Sequence, residues 1–285
     1  MSRPLEDIRV VSLAVNLPGP AAVARLVAQG ASATTVLPPG GDPLEQVAPA
    51  YFAELHAGQT IERLDLKDGD GRERLEVLLS AADVLVTSSR PAALARLGLD
   101  PASVGGRHTR LCQVEIVGHT GARADVAGHD LTYQAAAGLL GDGRLPTTLA
   151  VDLAGGERAA AEATAALVEC SRTGKGTHRT VVLADVATTL AAPFTHGLTA
   201  PGGLLGGGLP TYDLYAAADG QVALAALEPH FAQRLAEALG VDPAGLTRPR
   251  LADLFTTRTA RAWQEWAQER DLPLVAVAPR PTGPH

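Results

Sequence analysis

The stretch that decides the fold is Ile8-Arg9-Val10-Val11-Ser12-Leu13, followed across the turn Pro18-Gly19-Pro20 by Ala21-Ala22-Val23-Ala24-Arg25-Leu26-Val27-Ala28-Gln29 and closed by Gly30. The first run is short, apolar and rich in β-branched residues, as a strand buried on both faces must be. The second repeats its apolar residues at helical spacing and ends on a glycine, the usual residue just past a helix C-terminus. Strand, turn and helix in that order form the repeating unit of a parallel sheet. The pattern recurs downstream. A helix is expected over 71–81, with Leu75, Leu78 and Leu79 on its inner face, and strands are expected over 83–87 and 111–117. A long Ala-rich helix over 158–171 ends at the turn Thr173-Gly174-Lys175-Gly176, and a strand returns over 179–183. The expected class is α/β: a Rossmann-like large domain over 1–200, its parallel sheet covered by helices on both faces.

Pro201-Gly202-Gly203 and Gly206-Gly207-Gly208-Leu209-Pro210 read as a glycine-rich linker over 201–211. Beyond it, strands over 221–226 and 274–277 and helices over 230–239 and 258–270 make a small α+β domain, 212–285. No glycine-rich segment has phosphate-loop spacing after a strand: Pro38-Pro39-Gly40-Gly41-Asp42 is a turn.

Composition narrows the function classes. At 285 residues with 46% hydrophobic residues, the chain can bury a sizeable core. A net charge of −7 argues against nucleic-acid binding, which needs a basic surface. Apolar stretches are broken well before membrane-spanning length, and Met1-Ser2-Arg3-Pro4-Leu5-Glu6-Asp7 lacks the apolar core of a signal peptide, so a cytoplasmic protein with no membrane partner is expected. Cys112 and Cys170 have no metal-ligand spacing and read as buried small hydrophobes, so no metal site is expected.

The chemistry concentrates at Gly128-His129-Asp130, at the mouth of a helical run over 131–140. Helix starts gather unpaired N–H groups and partial positive charge, and an imidazole there can move a proton. On these residues alone, Asp130 as a cap-region acid and His129 as a loop residue is the more economical reading. The surrounding blocks change that balance.

Ala127-Gly128-His129-Asp130-Leu131-Thr132-Tyr133 resembles the Gly-His-Asp-Ile-Asn-Tyr signature of α-methylacyl-CoA racemases, members of the class III CoA-transferase family. Further blocks match that family in order: Leu5-Glu6-Asp7-Ile8-Arg9-Val10-Val11 with Pro18-Gly19-Pro20, then Asp65-Leu66-Lys67, then Arg90-Pro91 with Arg96-Leu97-Gly98-Leu99. Arg172-Thr173-Gly174-Lys175-Gly176, the pair Tyr212 and Tyr215 ahead of Ala218-Asp219-Gly220, and Ala226-Leu227-Glu228-Pro229-His230-Phe231 complete the series. The resemblance implies α-proton transfer on an acyl thioester. One group takes a proton from one face of the α-carbon while another delivers one to the opposite face. It assigns these roles to His129 and to Asp152 in Ala150-Val151-Asp152-Leu153-Ala154-Gly155-Gly156, so that Asp152 opens the long helix from Arg158. It gives Asp130 the orientation of His129 or a contact to the thioester oxygen, and Glu228 a hydrogen bond to the histidine across a domain or subunit boundary. Tyr133 reads as packing. The expected partners are a small acyl thioester and a second copy of the chain, with no cofactor beyond the CoA that the substrate carries.

Two other readings stay open. In the family's transferase branch the residue aligned with Asp130 attacks the thioester as a nucleophile. In a diverged member, a carrier-bound or free intermediate replaces the acyl-CoA. Three departures from the family pattern support the latter. Thr35 and Leu37 stand where relatives carry a basic residue and an acid, and Gly58-Gln59-Thr60 stands where a Gly-Lys or Gly-Arg is usual, so Thr35 and Gln59 fall at CoA-contacting positions without the cations that answer phosphates. Arg90 is then the main remaining CoA-binding cation. The stretch between Leu140 and Asp152 is shorter than usual. Finally, the sequence stops at Pro284-His285, where relatives continue with a return segment to the large domain.

Overall fold

The structure is a computed structural model and describes residues 3–141 and 143–279; the chain end at Pro284-His285 lies outside the described residues. Two compact units are present, Met1–Ala191 and Ala192–His285.

The first unit holds β1 (Arg9–Ser12), α1 (Pro18–Ala28), β2 (Ser32–Leu37), α2 (Pro43–Val47), α3 (Pro49–Leu55) and β3 (Thr60–Arg63). It continues with α4 (Gly69–Ser80), β4 (Val84–Thr87), α5 (Pro91–Arg96), α6 (Pro101–Arg107), β5 (Cys112–Val117), α7 (Asp130–Ala136), α8 (Ala150–Thr173) and β6 (His178–Val182). It ends within α9 (Leu183–Thr195). All six strands are parallel, in the order β3-β2-β1-β4-β5-β6. The order reverses between β1 and β4, and the loops leaving these two strands diverge to opposite sides of the sheet, opening a crevice at their carboxyl ends.

Alternation along the strands feeds two separate cores. Val10, Val84, Val86, Val114 and Ile116 pack with residues of α1 and α8. Val11, Leu85 and Val36 face the opposite way, onto Leu75 and Leu79 of α4, Leu94 of α5 and Val104 of α6. Leu78 of α4 is only partly buried at the margin of this second core. Leu26, 1% exposed, alone contributes about 2 kcal/mol of apolar burial to the α1 side.

Helix α8 begins eight residues before the sequence reading placed it, because Gly155 and Gly156 look like helix breakers. They lie inside the helix for a packing reason. A methyl group on Gly155 would strike Leu183, and one on Gly156 would come within 2.9 Å of both Ala21 Cβ and the Pro18 carbonyl. The missing side chains let α1 and α8 approach closely, and Asp152 lies in the first turn of α8. Similarly, α7 is shorter than the run over 131–140: it ends at Ala136, and Gly138 takes a left-handed φ of 74°.

In the second unit β7 (Tyr212–Ala217), β8 (Gly220–Ala225) and β9 (Leu274–Ala276) form an antiparallel sheet. Helices α10 (Pro229–Leu239), α11 (Arg248–Phe255) and α12 (Ala260–Gln268) accompany it. Its core is aromatic: Trp263, 1% exposed, meets Phe255 edge-on at 5.1 Å and donates its indole N–H to the Phe255 carbonyl at 2.8 Å. The stretch 201–211, expected as a linker, belongs to this unit and is folded. Gly203 and Gly206 approach the carbonyls of Gly197 and Ala200 so closely that no side chain fits. Arg248 binds the Gly207 carbonyl and forms an ion pair with Asp213.

Candidate active site

The crevice at the strand reversal is a cavity of about 240 Å³ in the first unit. Its floor comes from the residues that follow three adjacent strands: Val15 and Asn16 after β1, Ser88 and Ser89 after β4, and Gly118 after β5. Ser88 ties the first two loops together, its hydroxyl accepting from the Val15 amide at 3.1 Å. Asn16 takes a left-handed φ of 68°, a conformation that asparagine tolerates better than most residues. Its amide is anchored on the fully buried Asp42 carboxylate at 3.0 Å. Such a held, uncommon backbone state at a cleft is typical of functional loops.

His129, Asp152 and Arg90 line this one cavity. Despite the shortened stretch before it, Asp152 shares the cleft with His129. The backbone of His129 is fixed at the N-cap of α7, where its N–H donates to Thr132 Oγ1 at 3.1 Å and its carbonyl accepts from that hydroxyl at 2.8 Å. The imidazole is left exposed to the cleft. Asp152 is 9% exposed, and burial, reinforced by the nearby charge of Asp130, pushes its carboxyl up to about 6. A carboxyl in that range can hold or release a proton near neutral pH. Arg90 is exposed at the N-cap of α5.

Asp130 lies elsewhere. It is 2% exposed, and both its oxygens are occupied: Oδ1 accepts from the amides of Val151 and Asp152 at 2.8 and 3.0 Å, and Oδ2 accepts from Gln134 Nε2 at 2.5 Å. The carboxylate therefore sits on the N-terminus of α8, where unpaired amides and the helix dipole favour negative charge. Its hydrogen bonds go to α8 and Gln134, not to the His129 ring. Asp130 instead joins α7 to α8 and so fixes His129 relative to Asp152.

Thr35 and Gln59 do not reach the cavity. Thr35 is 1% exposed and its hydroxyl donates to Gln59 Oε1 at 2.7 Å, while Gln59 Nε2 donates to the Leu55 carbonyl at 2.8 Å. The two satisfy each other. Glu228 belongs to the second unit, exposed at the N-cap of α10, with its carbonyl accepting from Phe231 and Ala232 at 3.0 and 3.1 Å.

Asn16, Ser88, Ser89 and Tyr133 are cleft residues that the sequence reading did not assign to the site. Only Asn16 carried a usable signal, as a residue prone to left-handed φ in a strand-to-helix turn. Among the described residues no cluster of three or more His, Cys, Asp or Glu side chains could hold a metal, and no helix is long and apolar enough to cross a membrane. Both cysteines are buried and free, and burial above all pushes the Cys112 thiol up to about 11, so it is unreactive.

The chain is similar to human α-methylacyl-CoA racemase, 30% identical over 289 aligned positions that cover 91% of this chain and 74% of the human protein. It is equally similar, 30% over 261 positions covering 85% and 74%, to a CaiB/BaiF CoA-transferase family protein of Caenorhabditis elegans. A succinate–glutarate CoA-transferase of Agrobacterium fabrum is 31% identical over 66% of this chain and 53% of its own length. Among solved structures, a hypothetical protein of Mycobacterium tuberculosis superposes with a TM-score of 0.82 at 26% identity, covering 98% of this chain and 87% of that one. The model of CoA-transferase family III matches residues 5–279. With a parallel sheet, a cleft at its strand reversal and these matches over nearly its whole length, the chain belongs to CoA-transferase family III.

Proposed function

We propose that the protein moves the α-proton of an acyl thioester, as a racemase or epimerase, with His129 and Asp152 as the two acid–base groups. The observation that carries this reading is that an exposed imidazole and a buried carboxyl held near pH 6 line the same small cavity, on different helices. In one direction neutral His129 removes the proton and protonated Asp152 delivers one to the opposite face of the enolate. In the other direction the roles reverse, and the pair ends with the same number of protons. Arg90 would meet a phosphate of the CoA carrier. A homodimer in which Glu228 of one copy approaches His129 of the other completes the reading, as the resemblance implies.

Some relatives are named as CoA-transferases, and one observation bears on that second chemistry. Asp130 is sealed by three donors, whereas Asp152 is the carboxyl in the cleft, so a nucleophilic carboxylate in this chain would be Asp152 and not Asp130. The transferase variant is therefore revised in its residue.

The two are separated by incubating the protein with single enantiomers of 2-methylacyl-CoA thioesters in deuterium oxide, with and without hydroxylamine. Inversion with deuterium entering the α-position, and no trapped acyl-enzyme, is expected. An acyl hydroxamate with no α-deuterium would replace the proposal by acyl transfer.

A further inference from the structure

A tyrosine hydroxyl buried in a protein nearly always has a hydrogen-bond partner. Tyr215, 3% exposed, obeys this rule and donates to the Pro210 carbonyl at 2.5 Å. Tyr133, 5% exposed as a residue, differs: among the described residues its hydroxyl has no hydrogen-bond partner, and that oxygen is not itself sealed from solvent. That hydroxyl is also held with unusual tightness. A methyl group on Gly118, at the end of β5, or on Gly128, next to His129, would strike it. His119 packs against the ring edge-on, with centroids 5.6 Å apart. Two glycines, at the two ends of the loop that joins β5 to α7, thus make room for one oxygen without a partner among the described residues, and Tyr133 lines the cavity shared by His129 and Asp152.

Simple packing does not need this arrangement, because phenylalanine would fill the same ring space without the hydroxyl for which the two glycines make room. A fixed, neutral donor aimed into a cleft is what an enolate oxygen requires. Burial and the charge of Asp152 both raise the Tyr133 ionisation above its ordinary value, so the phenol keeps its proton and serves as a donor, not a base.

We propose that Tyr133 is a catalytic residue that donates its hydroxyl hydrogen bond to the carbonyl oxygen of the bound thioester, strengthening it as that oxygen becomes an enolate. This rests on the acyl-thioester reading of the site, and its test separates the two. The probe is 2-methylpropanoyl-CoA, which has an α-proton but no stereocentre. The protein is labelled at the ring Cζ of its four tyrosines, and the Tyr133 signal is identified by its loss in Tyr133→Phe. On adding the thioester the Tyr133 signal is expected to move, and on adding CoA alone, which lacks the acyl carbonyl, to stay. In deuterium oxide Tyr133→Phe is expected to slow α-exchange about 100-fold, the loss found when one oxyanion donor is removed, with KM changed less than about threefold. A Tyr133 signal that ignores the thioester, or that moves equally with CoA, overturns the proposal. So does a Tyr133→Phe protein that exchanges within about twofold of the parent. If the signal responds to the thioester but the parent exchanges no α-proton, the hydrogen bond stands and the proton-transfer reading falls.

Discussion

Replacing Asp152 by asparagine should make the protein more stable at neutral pH while abolishing its proposed chemistry. Folding takes the Asp152 carboxyl from an ordinary value of 3.8 to about 6, chiefly by burial. A folded value above the unfolded one means that the group is harmless below about pH 3.8, where it is protonated in both states, and that it costs stability as the pH rises through 6. Fully expressed, that difference corresponds to about 3 kcal/mol. The position of Asp152 in the first turn of α8 offsets up to about a third of it, because helix N-termini favour negative charge by about 0.3–1 kcal/mol. Asp152→Asn keeps the shape and removes the ionisation. The expected gain is about 2 kcal/mol at pH 7.5, a rise in Tm of about 4–8 °C, shrinking to nothing below pH 4. Both tryptophans, Trp263 and Trp266, lie in the second unit, so their fluorescence would miss the event. Melting followed by circular dichroism, together with hydrogen exchange of the α8 amides, reports on the first. A gain that does not depend on pH, or no gain at pH 7.5, would refute the claim that burial raises the Asp152 carboxyl above its ordinary value.

Other perturbations probe the frame around that group. Asp130→Ala removes the acceptor for two α8 amides and should cost about 1–2 kcal/mol in a denaturant titration, whereas Asp130→Asn, which retains an oxygen acceptor, should cost less; equal costs would count against the capping role. Asp130→Asn also deletes a charge that helps raise the Asp152 carboxyl, so the acid limb of the pH–rate profile should move to lower pH. Gly156→Val forces a branched side chain against Pro18 and Ala21 and should destabilise by at least about 1–3 kcal/mol in the same titration; a neutral effect would disprove close α1–α8 contact at that point. Arg90→Gln should weaken CoA binding in isothermal titration and flatten its dependence on ionic strength, because Thr35 and Gln59 are engaged with each other; unchanged affinity would remove Arg90 from the carrier site.

Strand β1, helix α1 and strands β4 and β5 were legible because each is an uninterrupted apolar pattern bounded by glycine, proline or charge. Strand β3, Thr60-Ile61-Glu62-Arg63, was not legible: it is the sheet's edge, mostly exposed, and carries the charged residues that guard edges against further pairing. Strand β2 mixes Ser32, Thr34 and Thr35 among its apolar residues. The start of α8 was hidden because local propensity reads Gly155-Gly156 as a break, and only the approach of α1 explains them. His129, Asp152 and Arg90 were found through ordered motifs, and all three line one cleft. The use of Asp130 was invisible, since its partners are amides 21 and 22 residues downstream on a helix whose start was itself misplaced. Nor could the sequence show that the Tyr133 hydroxyl goes unpaired, a property that exists only once Gly118 and Gly128 are brought around it.

The most direct test of two opposed acid–base groups is face-specific exchange. Each enantiomer of a 2-methylacyl-CoA is incubated in deuterium oxide with His129→Gln and, separately, with Asp152→Asn, and α-deuterium and configuration are read by mass spectrometry and chiral separation. Neither variant should invert, and each should retain exchange with only one enantiomer, the two variants choosing opposite ones. Inversion surviving in either variant, or both variants exchanging the same enantiomer, would contradict the account.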